Sequence, residues 1–129
     1  MESDVLVVDD SAAIRKILTR VLRQTGMAIQ TIHEAGDGQE ALTLMAQHRI
    51  DLVLSDINMP KMDGLQLLAS LKTSPQWRNI PVVMITTEGG ETKVAEAVRL
   101  GAAGYVRKPF TADQIKEKLV GILEPAPTL

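Results

Sequence analysis

The chain of 129 residues has no cysteine and few aromatic side chains, with one Trp, one Tyr and one Phe. The absence of cysteine excludes both a disulfide framework and a thiolate metal site. Because bases and flavins are commonly held by stacking on aromatic rings, the scarcity of rings argues against a site of that kind. The core of this chain must therefore be filled by Leu, Ile, Val, Met and Ala.

Long apolar runs and a strong charge of one sign are also missing. No run of about 18 apolar residues is available to span a bilayer, and the first residues lack the pattern of a secretory signal. A net charge of -2 and a pI near 5.6 provide no basic face for nucleic acid. We therefore expect a cytoplasmic, monomeric protein that binds neither membrane nor nucleic acid.

The chain length fits one domain with one sizeable core. Five short segments predict strands, at residues 5–8, 28–34, 52–54, 82–85 and 104–107. The first, third and fourth are uniformly apolar, as buried parallel strands are, whereas the other two are typical of sheet edges. We expect the domain to span 1–124 and to be followed by a short C-terminal tail at 125–129, which contains two prolines.

Helical patterns lie between the strands. The clearest is an apolar stripe that ends near Gly26 and consists of Ile14, Ile17, Leu18, Val21 and Leu22. Three more helix starts are marked by a capping residue three positions before Glu or Gln: Asp37 with Glu40, Asp63 with Gln66, and Thr111 with Gln114. The remaining helix covers 91–100. Strand and helix thus alternate five times, which predicts a doubly wound α/β fold whose five-stranded parallel sheet has the order 2-1-3-4-5 and helices on both faces.

Reactive side chains follow four of the predicted strands. In an open parallel sheet, a ligand site lies beyond the carboxyl ends of the strands. The first strand brings Asp9 and Asp10 to that edge, the third Asp56, the fourth Thr86 and the fifth Lys108. We therefore expect these five side chains to lie close together.

Three carboxylates in one crevice repel one another unless a cation binds them or their pKa values rise. Oxygen ligands without His or Cys favour Mg²⁺. We predict Asp10 and Asp56 as direct ligands, the Asn58 backbone carbonyl as a third and Asp9 as a ligand through water. A carboxylate beside Mg²⁺ can attack a phosphoryl group, which makes Asp56 the expected acceptor.

The two remaining side chains suit the same reaction. Lys108 would supply a positive charge to the transferred group, and the Thr86 hydroxyl would donate a hydrogen bond to one of its oxygens. Taken singly, each residue has an ordinary explanation: the aspartates as helix caps, Thr86 as a strand residue and Lys108 as a solvated charge. Their joint occurrence at one end of the sheet favours the functional interpretation.

Four segments resemble the receiver family of two-component signalling, namely VLVVDD, DLVLSDINMPKMDG, VVMITT and GYVRKPF. The resemblance covers nearly the whole chain and implies a flavodoxin-like fold. It implies that a sensor histidine kinase phosphorylates Asp56 and that Thr86 and Tyr105 then move together as a switch. Packing of Tyr105 on the edge strand is the alternative for that ring. The family also implies a cis bond between Lys108 and Pro109, which the sequence alone only permits.

Within the family the chain is most similar to the chemotaxis branch, which it matches at Asn58, Glu88, Tyr105 and Lys118. It departs from that branch at Ser11, which we interpret as a helix-start residue, and at Ile57. By resemblance, Asn58 and Glu88 position the water that removes the phosphoryl group. We therefore expect a regulatory domain that catalyses only its own phosphorylation and dephosphorylation.

The resemblance also implies an output face formed by the fourth helix, the fifth strand and the fifth helix. Candidate contacts are Val94, Tyr105 and Lys118, although Val94 could instead be a core residue and Lys118 a solvated charge. The downstream target would be a protein such as a flagellar motor switch or another signalling protein.

Three other functions remain as alternatives. A receiver-like interaction module that is never phosphorylated would typically lack an acidic residue or the lysine. A phosphatase of the haloacid dehalogenase type needs Asp-x-Asp after its first strand, where this chain has Asp9, Asp10 and Ser11. A flavin carrier would need a phosphate loop after that strand and more aromatic residues.

Overall fold

The computed structural model describes residues 3–87 and 91–123. Its strands are β1 (Ser3–Val8), β2 (Ile29–Ala35), β3 (Leu52–Asp56), β4 (Val82–Thr86) and β5 (Gly104–Arg107). Its helices are α1 (Ala12–Gln24), α2 (Gly38–Gln47), α3 (Gly64–Lys72), α4 (Glu91–Leu100) and α5 (Ala112–Leu123). The predicted tail at 125–129 and the predicted domain end at 124 lie outside the described residues. No helix within the described ranges is both long enough and apolar enough to cross a membrane.

The five strands form one parallel sheet in the order β2-β1-β3-β4-β5, which confirms the predicted topology. β2 and β5 occupy the edges, as expected. β3 extends beyond the predicted residue 54, because Ser55 pairs with Val8 on one side and Asp56 pairs with Ile85 on the other. The acceptor candidate is therefore the last residue of a central strand.

The core consists of two apolar layers, one on each face of the sheet. Alternate residues of a strand point to opposite faces, so Val5 and Val7 pack in one layer while Leu6 and Val8 pack in the other. The layer around Val5 is covered by α1 and α5, and the opposite layer by α2, α3 and α4. This burial fixes the strands, and with them the loops at their carboxyl ends.

The predicted helix starts are confirmed by their caps. The Asp63 carboxylate accepts from the Gln66 backbone N–H while the Gln66 side chain accepts from the Asp63 N–H, both at 2.9 Å. Thr111 and Gln114 make the same reciprocal pair. Asp37 caps α2 alone, because the Glu40 carboxylate accepts instead from the Gly36 N–H.

Candidate functional site

The carboxyl edge of the sheet carries all five reactive residues expected there. Asp9 and Asp10 follow β1, Asp56 ends β3, Thr86 ends β4 and Lys108 follows β5. Because β1, β3, β4 and β5 are consecutive neighbours in a parallel sheet, their ends open into one crevice.

The three aspartates form an acidic cluster. Carboxylate oxygens of Asp9, Asp10 and Asp56 all lie within 4.8 Å of one another. Asp9 is 1% exposed and Asp56 is 8% exposed, whereas Asp10 is open to solvent. Oxygen ligands at this spacing could hold a hard divalent cation. The cluster is buried on the side of Asp9 and Asp56 and open to solvent at Asp10, so the cation could keep several waters.

Lys108 bridges two members of the acidic cluster. Its ammonium donates to Asp9 Oδ2 at 3.1 Å and lies 3.7 Å from Asp56 Oδ2. The Lys108 backbone N–H donates to the Thr86 carbonyl at 2.7 Å, which continues the contact between β4 and β5. One ammonium beside three carboxylates leaves the crevice net negative, so it attracts a cation.

Burial raises the pKa of the Asp56 carboxyl above its ordinary value of 3.8. The negative charge of Asp9 adds to this increase in pKa. Lys108 and the backbone N–H groups of Asn58 and Ile57, which donate to the Asp56 carboxylate, oppose it without cancelling it. The negative charge of Asp56 is therefore only partly compensated by the groups around it.

The Asp9 carboxylate is held by the turn that leads into α1. Its Oδ1 accepts from the Ser11 N–H at 2.9 Å, and its carbonyl accepts from the Arg15 guanidinium at 2.7 Å. The N-cap of α1 is Ser11, whose hydroxyl accepts from the Ile14 N–H at 3.3 Å, as expected for a helix-start residue. Asp9 and Asp10 therefore do not serve as the N-cap of α1.

Thr86 lies at the crevice, but its hydroxyl is engaged elsewhere. The side chain is 4% exposed, and Oγ1 donates to the carbonyl of Thr87 at 3.2 Å. A hydroxyl has one proton to donate. It must therefore leave the Thr87 carbonyl before it can donate to a phosphoryl oxygen.

The predicted output residues occupy different environments. Tyr105 is 39% exposed, and the Lys118 ammonium lies 5.5 Å from the centre of its ring, within the range of a cation–π contact. Both residues line a surface groove of about 640 Å³ between β5 and α5. Val94 instead packs against the core layer beneath α2, α3 and α4.

The peptide bond between Lys108 and Pro109 is cis, as the resemblance to the receiver family implied.

Two residues that support the site were missed by the sequence interpretation. Lys93 of α4 donates from its ammonium to Asn58 Oδ1, two residues beyond the acceptor. A β-carbon on Gly64 would lie 2.2 Å from the Asp56 carbonyl oxygen, so α3 approaches β3 as closely as only glycine allows. For Lys93, the sequence did offer a signal, because a lysine in the first turn of a helix is at a position where a cation is disfavoured.

Comparison with known proteins gives a consistent result. A model of the response regulator receiver domain family matches residues 5–120. Over 120 residues the chain is 39% identical to chemotaxis protein CheY-3 of Vibrio cholerae, covering 93% of this chain and 91% of that protein. It is 38% identical to chemotaxis protein CheY of Pseudomonas aeruginosa, covering 93% of this chain and 95% of that protein.

Solved structures agree with the sequence relatives. The high-resolution structure of chemotaxis response regulator CheY4 of Vibrio cholerae superposes with a TM-score of 0.81 at 34% identity, covering 92% of this chain and 97% of that one. A putative response regulator from Chloroflexus aurantiacus gives a TM-score of 0.87 at 27% identity, covering 95% and 98%. Fold, family model and relatives thus coincide, and the chain belongs to the response regulator receiver domain family, whose members are phosphorylation-dependent signalling switches.

Proposed function

We propose that this chain is a chemotaxis-type switch that accepts a phosphoryl group on Asp56 in a Mg²⁺-dependent reaction. The observation that carries the proposal is the acidic cluster of Asp9, Asp10 and Asp56 within 4.8 Å, with the Lys108 ammonium against two of its carboxylates. The link to chemotaxis rests on the relatives, which are named chemotaxis proteins.

The donor set of the acidic cluster fits Mg²⁺. All three side chains offer carboxylate oxygens, and Asp10 faces solvent, which leaves room for bound waters. Asp10 and Asp56 would be direct ligands, the Asn58 carbonyl a third, and Asp9 a ligand through water. When bound, Mg²⁺ neutralises negative charge on the transferring phosphoryl oxygens.

The transfer step uses one oxygen of the Asp56 carboxylate as nucleophile. That oxygen forms a bond to phosphorus, while the bond from phosphorus to the donor breaks and its electron pair leaves with the donor group. Lys108 is already 3.7 Å from Asp56 Oδ2 and supplies positive charge beside the new phosphoryl oxygens. The Thr86 hydroxyl exchanges the Thr87 carbonyl for one of those oxygens.

The phosphodonor would be a sensor histidine kinase, and the phosphoryl group would be lost by hydrolysis within the domain itself. Asn58 borders the acceptor, since its N–H donates to the Asp56 carboxylate. Glu88, the other residue expected to position water, lies outside the described residues. A cytoplasmic location stays a prediction, made because the sequence lacks a secretory signal pattern and a run of apolar residues long enough to span a bilayer.

The output would leave through α4, β5 and α5. Inward movement of Thr86 frees space for the Tyr105 ring. The exposed position of the ring leaves it free to change place, and the change would break its contact with the Lys118 ammonium. The partner would be a protein such as a flagellar motor switch or another signalling protein. Lys118 and Tyr105 are the proposed contacts, and Val94 would act through the packing of α4.

Intact-mass measurement tests the proposed reaction. The protein is incubated with acetyl phosphate and Mg²⁺, beside an EDTA control and an Asp56→Asn variant. We expect one added phosphoryl group only in the wild-type sample with Mg²⁺. Equal mass gain in EDTA or in the variant would contradict the proposal, and no gain with any donor would favour an interaction module that is never phosphorylated.

A further inference from the structure

A hydrogen bond joins α4 to the loop that follows the acceptor strand. Lys93, the third residue of α4, donates from its ammonium to Asn58 Oδ1. The backbone N–H of Asn58 in turn donates to the Asp56 carboxylate. Lys93 is therefore connected to the acceptor through one residue, although it lies on a different element.

The chemistry of the two side chains fixes the orientation of the Asn58 amide. An ammonium has donors and no acceptor, so it can bond only to the carbonyl oxygen of the amide. The NH₂ group of Asn58 must then point away from Lys93. Asn58 Oδ1 is the oxygen that could accept a hydrogen bond from a water beside the acceptor, and Lys93 already occupies one of its two lone pairs.

The position of Lys93 is not explained by helix stability. The N-terminal turn of a helix carries a partial positive charge, which disfavours a cation there. The other basic residue of α4 within the described residues, Arg99, lies in the last turn, where a cation is favoured. Lys93 is also exposed, so burial does not account for it. Among the described residues, the bond to Asn58 Oδ1 gives Lys93 a local role.

We propose that Lys93 is a positioning residue that prolongs the phosphorylated state by holding Asn58 Oδ1. The inference rests on the proposed phosphorylation of Asp56. In hydrolysis, a water oxygen attacks phosphorus, the bond between phosphorus and the Asp56 oxygen breaks, and the carboxylate is regenerated. The water gives up its protons to solvent and the departing phosphate. A carbonyl oxygen that accepts a hydrogen bond from this water orients it, and the Lys93 ammonium competes for the same oxygen by occupying one of its lone pairs.

The test measures the rate of phosphoryl loss in matched variants. Each protein is phosphorylated with acetyl phosphate and Mg²⁺, the donor is removed by desalting, and the remaining adduct is followed by intact mass. Lys93→Met keeps the length of the side chain and removes its donors. We expect it to lose the phosphoryl group about fivefold faster, the effect of one exposed hydrogen bond.

Three controls separate this role from a structural one. Lys93→Arg retains donors and is expected to restore the wild-type lifetime. Lys116→Met removes an exposed lysine of α5 and is expected to leave it unchanged. In an Asn58→Ala background, Lys93→Met should have no further effect, because the oxygen for which Lys93 competes is absent.

Two results would overturn the inference while leaving the proposed function intact: an adduct whose lifetime is the same in wild type and Lys93→Met, or a Lys93→Met acceleration that persists undiminished in the Asn58→Ala background. Absence of any wild-type adduct would instead overturn the proposed function, and this inference with it.

Discussion

The position of the Asp56 carboxyl suits the proposed reaction but lowers the stability of the folded protein. It is nearly buried, its neighbour Asp9 is also charged, and the single ammonium of Lys108 is shared between them. Burial is the larger cause of its raised pKa, and repulsion from Asp9 adds to it. Without a cation, the charged form of Asp56 is thus less stable in the folded protein than in the unfolded chain.

Replacement of Asp56 by Asn should therefore stabilise the metal-free protein at neutral pH. Because the folded state binds the Asp56 proton more tightly, the contribution of Asp56 to the free energy of unfolding falls as pH rises from the ordinary value of 3.8 through the raised pKa, and stays lowered above it. Urea denaturation in EDTA should give the variant a larger free energy of unfolding at pH 7 and no such gain below pH 3.8.

The matched control is Glu96→Gln, which removes an exposed carboxylate on α4 and should change stability little at either pH. If Asp56→Asn were less stable than wild type at pH 7 in EDTA, the assignment of a poorly compensated charge to Asp56 would be wrong.

At the scale of elements, the loop from Ile57 to Asp63 is held on several sides. Lys61 has a φ of 66° and is spanned by a hydrogen bond from the Met62 N–H to the Pro60 carbonyl, a γ-turn that few non-glycine residues adopt. The Met62 carbonyl accepts from the Gly38 N–H, and the Lys61 ammonium lies 3.7 Å from Asp37 Oδ2. The loop is thereby fastened to the start of α2.

The close approach of α3 to β3 makes Gly64 sensitive to a single methyl group. In Gly64→Ala, the new carbon would meet the Asp56 carbonyl oxygen at 2.2 Å and the Ile57 Cα at 2.8 Å, both backbone atoms that cannot move aside cheaply. We expect a loss of about 2 kcal/mol or more in the free energy of unfolding, within the range for overpacking, and a slower phosphorylation of Asp56.

Gly121→Ala is the matched substitution in α5, where nothing lies within 4 Å of the added carbon. It should raise the free energy of unfolding by about 1 kcal/mol through helix propensity. Chemical denaturation of both variants measures the contrast, and equal effects of the two substitutions would show that the Gly64 approach is not tight.

Elements with local signals were predictable from the sequence, and those that depend on tertiary pairing were less so. The caps at Asp63 and Thr111 are formed by side chains and backbone a few residues apart, so local sequence determines them. The end of β3 was placed too early because Ser55 and Asp56 are polar, and only their pairing with neighbouring strands identifies them as strand residues.

The candidate site, too, was predictable from the sequence only in part. Asp9, Asp56 and Lys108 were predictable as neighbours because parallel strands bring their carboxyl ends to one edge. The bond from Lys93 to Asn58 was not, since it depends on how far α4 lies from the loop after β3. The orientation of the Thr86 hydroxyl was likewise not predictable from the sequence. A hydroxyl can rotate, and its orientation depends on which acceptor lies near it in the folded protein, here the Thr87 carbonyl.

At the scale of the whole molecule, two buried layers support one acidic edge. The sheet is rigidified from both faces, while the crevice and the exposed Tyr105 lie at its margin. A ligand that binds only the folded crevice must therefore stabilise the entire domain, because its binding energy adds to the free energy of unfolding.

Mg²⁺ should accordingly raise the stability of the protein. At a concentration about 100 times its dissociation constant, the expected gain is about 2.7 kcal/mol. Thermal unfolding in increasing Mg²⁺ measures it, with Asp10→Asn as a variant that removes an exposed ligand from the acidic cluster and should show a smaller gain. An equal response of wild type and Asp10→Asn would place the ion elsewhere.

The central claim, that Asp56 is the phosphoryl acceptor, is tested most directly by locating the modified residue. Borohydride reduces an acyl phosphate on aspartate to homoserine, which peptide mass spectrometry identifies by position. After treatment with acetyl phosphate and Mg²⁺, we predict homoserine at residue 56 and none in the EDTA control. Homoserine at Asp9 or Asp10 instead, or an unmodified residue 56 in a sample that carries the phosphoryl mass, would contradict the account.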